Sequence, residues 1–177
     1  MKSNVISITN RGDGFEKALQ ETRKVAAYEG LGEKETLHLV LFTEEMLSMA
    51  EIVGGDMTMN AYFWIETGGK TFDLHLTANT TLDKKKRAQL LDAATTRKNE
   101  AANSLLGKIR DAFEQAMSVE DIYNEVPYDV LTDIAGREIA DPEWDEYECS
   151  ILRKLADNVK VSIRGNVVDL TVRKTFA

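Results

Sequence analysis

Apolar residues recur along this chain at two spacings, one typical of α-helices and the other of β-strands. The helical spacing predicts helices over 15–28, 37–53, 105–117 and 146–155. Alternation of apolar and polar residues predicts strands over 5–8, 57–66, 72–76, 159–163 and 167–172. Asp83 is placed as the N-cap of a further, basic helix that runs to about Ala93.

The turns between these segments predict how the sheet is built. Thr67-Gly68-Gly69-Lys70 joins one pair of strands, and Arg164-Gly165-Asn166 joins another. Strands joined by hairpins, with helices grouped in blocks, favour an α+β fold. We expect a two-layer sandwich with helices on one face of a mixed, mostly antiparallel sheet. A chain of 177 residues is long enough for one such domain, spanning 1–177.

The segment 37–53 is apolar on almost every side but carries two adjacent carboxylates, Glu44 and Glu45. A helix of this kind belongs inside a domain. A carboxylate there must find a partner, sit at a cleft or hold a proton, which makes it a candidate site residue. The pattern leaves two matters open. A one-residue shift in helix register exchanges Glu44 and Glu45, and either can instead reach solvent at the rim.

Charge is distributed unevenly around the net value of −8. The segment 84–110 carries eight Lys or Arg against two acids, and 119–148 carries eleven acids against one base. The acidic total argues against general nucleic-acid binding. The basic segment can hold an anion such as phosphate, or both runs can be solvated faces, or one can dock onto the other.

Other features restrict location and chemistry. No apolar run reaches the length of a transmembrane helix, and the first residues lack a secretory apolar stretch. The single cysteine, Cys149, indicates a reducing compartment, so we expect a cytoplasmic protein with no membrane partner. His38 and His75 lie far apart and beside no cysteine, which argues against zinc.

The element order and the acid-bearing second helix resemble the histidine-kinase-like ATPase fold, and within it the anti-sigma-factor serine kinases of bacteria. Those proteins carry a helix of the form L-x-L-A-x-x-E-A-x-x-N, and residues 37–49 run over that pattern. Glu45 then falls on the family's general-base glutamate. The resemblance covers most of the chain except 118–148, which is predicted to be an acidic insertion.

The same comparison shows eroded nucleotide motifs. Met49 stands where the family places an asparagine that binds magnesium, and a thioether is a poor ligand for that ion. The stretch 79–83 replaces the family's D-x-G-x-G, although the Asn79 carbonyl can still accept from an adenine amino group. Of the family's G-x-G-L only Gly107 remains. Lys98 lies in the region of the nucleotide lid and can contact phosphate, or can simply be solvated.

The resemblance therefore implies a regulatory protein that binds a protein partner, such as a sigma factor or an anti-anti-sigma-like regulator. ATP is an option as ligand, no cofactor is certain, and Met49 argues against magnesium. The alternative is an active ATP-dependent serine kinase with Glu45 as base. A third reading is a different anionic small molecule in the relict cleft. The resembled kinases often pair through their sheets, which makes a homodimer a further option.

Overall fold

The computed structural model describes residues 1–9, 11–54, 60–102 and 152–177. These residues form an α+β fold in which five strands make one sheet. The strands are β1 (Ile6–Thr9), β2 (Asn60–Gly68), β3 (Thr71–Asn79), β4 (Asn158–Arg164) and β5 (Val167–Thr175). The helices are α1 (Phe15–Tyr28), α2 (Glu33–Gly54) and α3 (Lys84–Ala93), followed by a 3-10 turn (Glu100–Ala102).

Two predicted segments, the helix over 105–117 and the acidic insertion 118–148, lie outside the described residues. Of the predicted helix over 146–155, only 152–155 is described, and it is helical. None of the helices in the described ranges combines the length and the apolar character needed to cross a membrane.

The strands lie in the order β1-β2-β3-β5-β4, so β1 and β4 form the two edges. Every pairing between these five strands is antiparallel. The expectation of a mixed sheet is thus corrected for the described strands, where the parallel element is one isolated bridge between Asn99 and Val161. The hairpin turns at 69–70 and 165–166 explain two of the antiparallel pairings, because a tight turn reverses the chain direction.

Alternation along the strands divides the sheet into an inner face and an outer face. The inner face is buried and forms the core together with apolar residues of all three helices, including Leu39, Phe63, Leu74, Leu90 and Leu170. The outer face holds half-buried or exposed residues that include Tyr62, Trp64, His75, Asp169 and Arg173. The helices therefore cover one face of the sheet, as the sequence predicts for a sandwich.

Local signals explain most element boundaries. The bounds of α1 match the predicted 15–28, and the side chain of Asp83 caps α3 by accepting from the Lys86 backbone N–H at 2.7 Å. The prediction for β3 was too short, since the strand continues to Asn79. Its extra residues pair with β5, which a local pattern does not reveal: Thr77 lies opposite Asp169, and the Thr77 hydroxyl donates to that carboxylate at 2.6 Å.

Candidate functional site

The second helix decides which of the two adjacent carboxylates faces the fold. In α2 the side chain of Glu44 is exposed, whereas Glu45 is partly buried and the next residue, Met46, is fully buried. The helix register therefore turns Glu45 toward the protein and Glu44 toward solvent. This settles the one-residue ambiguity that periodicity leaves open.

One turn further along α2 is Met49, the residue that the predicted resemblance would align with the family's metal-binding asparagine. Met49 is only 2% exposed. It lines an apolar cavity of about 20 Å³ together with Ala50 and with residues of α3, β3 and β5, namely Leu76, Ala78, Leu90, Val168 and Leu170. None of these lining side chains carries an oxygen or nitrogen atom. The position of Met49 is thus part of a packed interior.

This lining does not fit a magnesium-bound nucleotide. Magnesium requires hard oxygen ligands, and a thioether among alkyl side chains offers none. A pocket for a ligand of nucleotide size typically encloses about 300 Å³ or more, with a few placed polar groups. The cavity beside Met49 has neither that volume nor that polarity.

The other predicted site residues do not join Glu45 at one place. Asn79 is exposed and lies on the outer face of β3, as do Asp73, His75 and Thr77. The preceding residue, Ala78, points to the inner face and lines the cavity. Lys98 is exposed in the segment after α3. Gly107 lies outside the described residues. The proposed roles of Asn79, Lys98 and Gly107 in nucleotide binding stay predictions.

The segment 95–99, here called the edge segment, lies along the outer edge of β4. The Thr95 N–H donates to the Val159 carbonyl at 2.9 Å, and the Val159 N–H donates to the Thr95 hydroxyl at 2.8 Å. The Asn99 carboxamide does the same at the other end: its nitrogen donates to the Ile163 carbonyl at 2.9 Å, and its oxygen accepts from the Ile163 N–H at 2.8 Å. Two side chains thus satisfy backbone groups of an edge strand.

The sequence places Asn99 only within the region of the predicted nucleotide lid, between Lys98 and Glu100, whereas the structure makes it one of the buried polar residues at 5% exposure. Its neighbours, from Thr96 to Lys98, are exposed. A lone asparagine in a polar stretch carries no periodic signal, and its partner Ile163 is 64 residues away. No pattern in the local sequence therefore points to this role.

The outer face carries a second polar arrangement, centred on Trp64. Its ring stacks on His75 with 4.9 Å between centroids and 10° between planes, and the Lys2 ammonium lies 4.7 Å from the Trp64 ring centroid. The indole N–H donates to Glu66 at 3.0 Å, and Lys2 pairs with Glu66 at 3.1 Å. The His75 Nδ1 atom lies 3.2 Å from the Thr171 hydroxyl. Trp64 thus contacts both an imidazole and an ammonium group.

The protonation states on this face follow from these contacts. Burial lowers the pKa of His75, although the carboxylates of Glu66 and Asp73 act in the opposite direction. Hydrogen bonds from Lys2 and Trp64 lower the pKa of Glu66. The bidentate contact from Arg173, at 2.6 and 2.7 Å, lowers the pKa of Asp73 and raises that of Arg173. His75 is therefore held neutral near pH 7, between charged neighbours.

Among the residues that the structure describes, no cluster of three His, Cys, Asp or Glu side chains is placed to bind a metal ion. Comparison with models of protein families and with curated proteins finds no match to this chain. The function of this protein is therefore inferred from the fold and from the geometry around α2 and the sheet.

Proposed function

We propose that this protein is a regulatory binding protein with a histidine-kinase-like ATPase fold, similar to anti-sigma-factor serine kinases but without a working magnesium–ATP site. The observation that carries this proposal is the environment of Met49. Its thioether is buried in an apolar cavity of about 20 Å³, at the position where the family's metal-binding asparagine would stand. Such a site cannot hold the magnesium that bridges the phosphates.

The fold supports the first half of the proposal. The described elements follow the order strand, helix, helix, strand, strand, helix, strand, strand, which is the order that suggested the resemblance. The inward position of Glu45 agrees with the register in which it matches the family's glutamate. An ATPase scaffold with eroded ligand positions is then free to act through protein contacts, in the cytoplasm, on a sigma-factor-like or anti-anti-sigma-like partner.

The inward position of Glu45 also favours the alternative, an active ATP-dependent serine kinase with Glu45 as general base. In that case another group must supply the magnesium ligand that Met49 lacks. Glu44 is exposed on the opposite side of the helix. The remaining candidates are the nucleotide itself and Ser48, one residue before Met49. The two functions differ in one measurable property, magnesium-dependent nucleotide binding.

Calorimetric titration with ATP and ADP, with and without magnesium, tests the proposal directly. We expect no heat of binding and no rise in melting temperature for the unmodified protein. A ligand present at a hundred times its Kd would stabilise the fold by about 2.7 kcal/mol, which a thermal scan detects. Magnesium-dependent binding in the micromolar range would overturn the proposal and favour the kinase.

Two substitutions at one position sharpen this test. Met49→Leu conserves volume and polarity, and we expect it to cost less than about 1.5 kcal/mol and to leave nucleotide binding absent. Met49→Asn places an amide in the apolar cavity, and we expect a cost of roughly 1–3 kcal/mol. If only Met49→Asn gains magnesium-dependent ATP binding, the alignment of α2 with the family helix is supported. If Met49→Asn folds and gains none, that alignment loses its support.

A further inference from the structure

The edge segment completes the hydrogen bonding of β4 in place of a sixth strand. Val159 and Ile163 each donate and accept one hydrogen bond across this edge, and their partners are Thr95 and Asn99. Val161, which lies between Val159 and Ile163 in β4, forms a parallel bridge with Asn99. An edge strand normally offers such N–H and C=O groups to any extended chain that approaches. Here the N–H and C=O groups of Val159 and Ile163 are already hydrogen-bonded to a short segment of the same chain.

The block is local and built largely from side chains. A carboxamide that donates to and accepts from one residue reproduces the pair of bonds that a neighbouring strand would make. Outside its two anchoring residues, the edge segment is exposed, and Arg97 within it has a φ of 52°, a left-handed conformation unfavourable for a side-chain-bearing residue. Loss of the Asn99 side-chain bonds would loosen the edge segment at Ile163. Among the described residues, the Thr95 bonds to Val159, the ion pair of Arg97 with Asp92 and the adjoining 3-10 turn also hold this part of the chain near β4.

We propose that the edge segment is a removable cover, and that the uncovered β4 edge binds an extended strand of a protein partner by adding it to the sheet. The chemistry of β4 specifies that strand. Val159, Val161 and Ile163 lie on the inner face and are buried. An added strand therefore needs apolar residues at every second position to extend the inner face.

The remaining positions of the partner strand lie on the outer face, beside Lys160 and Arg164. Both side chains are exposed. Neither makes an ion pair with any residue that the structure describes, in contrast to Arg173, which is paired with Asp73. Because opposite charges on neighbouring strands stabilise a sheet, the alternate residues of the bound strand are acidic. The ligand class is thus an extended segment in which apolar and acidic residues alternate.

This inference rests on the proposed function, since it assigns the contact through which a regulatory protein would hold its partner. The two can fail separately. Nucleotide titration tests the state of the site around Met49, whereas peptide binding tests the β4 edge. A second copy of the chain is the competing occupant, because antiparallel pairing centred on Val161 would place Val159 opposite Ile163 of that copy.

The test compares Asn99→Ala, which removes both side-chain bonds to Ile163, with Asn166→Ala as matched control. Asn166 is an exposed asparagine in the β4–β5 turn. The probes are two short blocked, fluorescein-labelled peptides, one alternating valine with glutamate and one alternating valine with lysine, followed by fluorescence anisotropy. We expect Asn99→Ala to bind the glutamate peptide roughly tenfold more tightly than the lysine peptide, and more tightly than the control protein does.

Charge reversal gives the decisive result. In the Asn99→Ala background, Lys160→Glu with Arg164→Glu should reverse the preference toward the lysine peptide. Equal binding of both peptides, or no binding by a variant whose circular dichroism shows it folded, would overturn the proposal. So would dimerisation of Asn99→Ala in light scattering without peptide binding, which would assign the edge to a second copy. If Asn99→Ala does not fold, Thr95→Val is tested instead, because it removes only the hydrogen bond between the Val159 N–H and the Thr95 hydroxyl. The same preference for the glutamate peptide over the lysine peptide is expected.

Discussion

The hydroxyl oxygens of Thr22 and Thr43 lie 2.9 Å apart at the buried contact between α1 and α2. Each also lies close to the carbonyl four residues earlier in its own helix, Ala18 at 2.9 Å and Leu39 at 3.0 Å. A hydroxyl carries one proton, so the two threonines can make only two of these three hydrogen bonds at once. The pair therefore shares its protons between two helices in a region with no exposure to water.

Valine substitutions at these two threonines should show coupling. Thr22→Val and Thr43→Val alone should each lower the free energy of unfolding by roughly 0.5–1.5 kcal/mol, because each removes one of the two hydrogen bonds. The double variant should cost less than the sum, because each single variant also leaves the remaining hydroxyl without its buried partner on the other helix, a penalty that the double variant lacks. Urea unfolding of all four proteins measures the coupling. Strict additivity would show that the hydroxyls do not interact.

Substitution of Gly14 by alanine should destabilise the protein more than the same substitution at Gly12. Both have a positive φ, at 91° and 82°. A Cβ at Gly14 would lie 2.1 Å from the Ser7 carbonyl oxygen, whereas a Cβ at Gly12 would meet no atom within 4 Å. Gly12→Ala should therefore cost about 1–2 kcal/mol, the price of a left-handed conformation alone.

Gly14→Ala should cost clearly more, about 3 kcal/mol or above, because the backbone of β1 or of the α1 N-terminus must also move. Chemical denaturation of both alanine variants compares them directly. Equal costs would mean that the close approach to Ser7 relaxes easily.

Stability should fall as the pH drops through the ordinary pKa of histidine, because of His75. Burial lowers the pKa of His75 below 6.5 in the folded protein. Between its folded and unfolded pKa the unfolded chain binds a proton that the folded protein lacks, so acid favours unfolding. Glu66 and Asp73 also have lowered pKa values, but their contributions are lost only on further acidification, starting from about 4.5 and 3.8.

His75→Gln is the variant that isolates this effect. We expect the unfolding midpoint in urea to decrease between about pH 7.5 and 5.5 for the unmodified protein, and to change less for His75→Gln. In a Trp144→Phe background the fluorescence of Trp64 in the folded protein should change at lower pH, with the lowered folded-state pKa of His75, since an imidazolium stacked on the indole alters its emission. An identical pH dependence in both proteins would assign the transition to another group.

Several parts of this fold are predictable from short stretches of sequence. The bounds of α1 follow from apolar residues at helical spacing, and the start of α3 from Asp83 before a run of helix-forming residues. The β4–β5 hairpin follows from two alternating stretches around Gly165, whose φ is 57°. These features are decided by neighbours within one or two turns of chain, where the pattern of side chains already sets which face is buried.

Only part of the candidate site can be predicted from local sequence. The pattern selected 37–53 as a buried helix with an unusual pair of acids, but not which acid turns inward. Packing of α2 within the fold decides that Glu45 is partly buried and Glu44 exposed. The same packing places Met49 in an apolar cavity, while strand alternation places Asn79 with the outer face.

Among the described residues, the sequence by itself thus predicted the helices and strands, their order and the presence of acids on a buried helix. The tertiary structure alone decided the strand order, the edge contact of Asn99 with Ile163, and the stack of Trp64 on His75. The reason is physical. Periodicity records how one segment divides between core and solvent, whereas these contacts depend on which distant segments pack together and leave each other's polar groups satisfied.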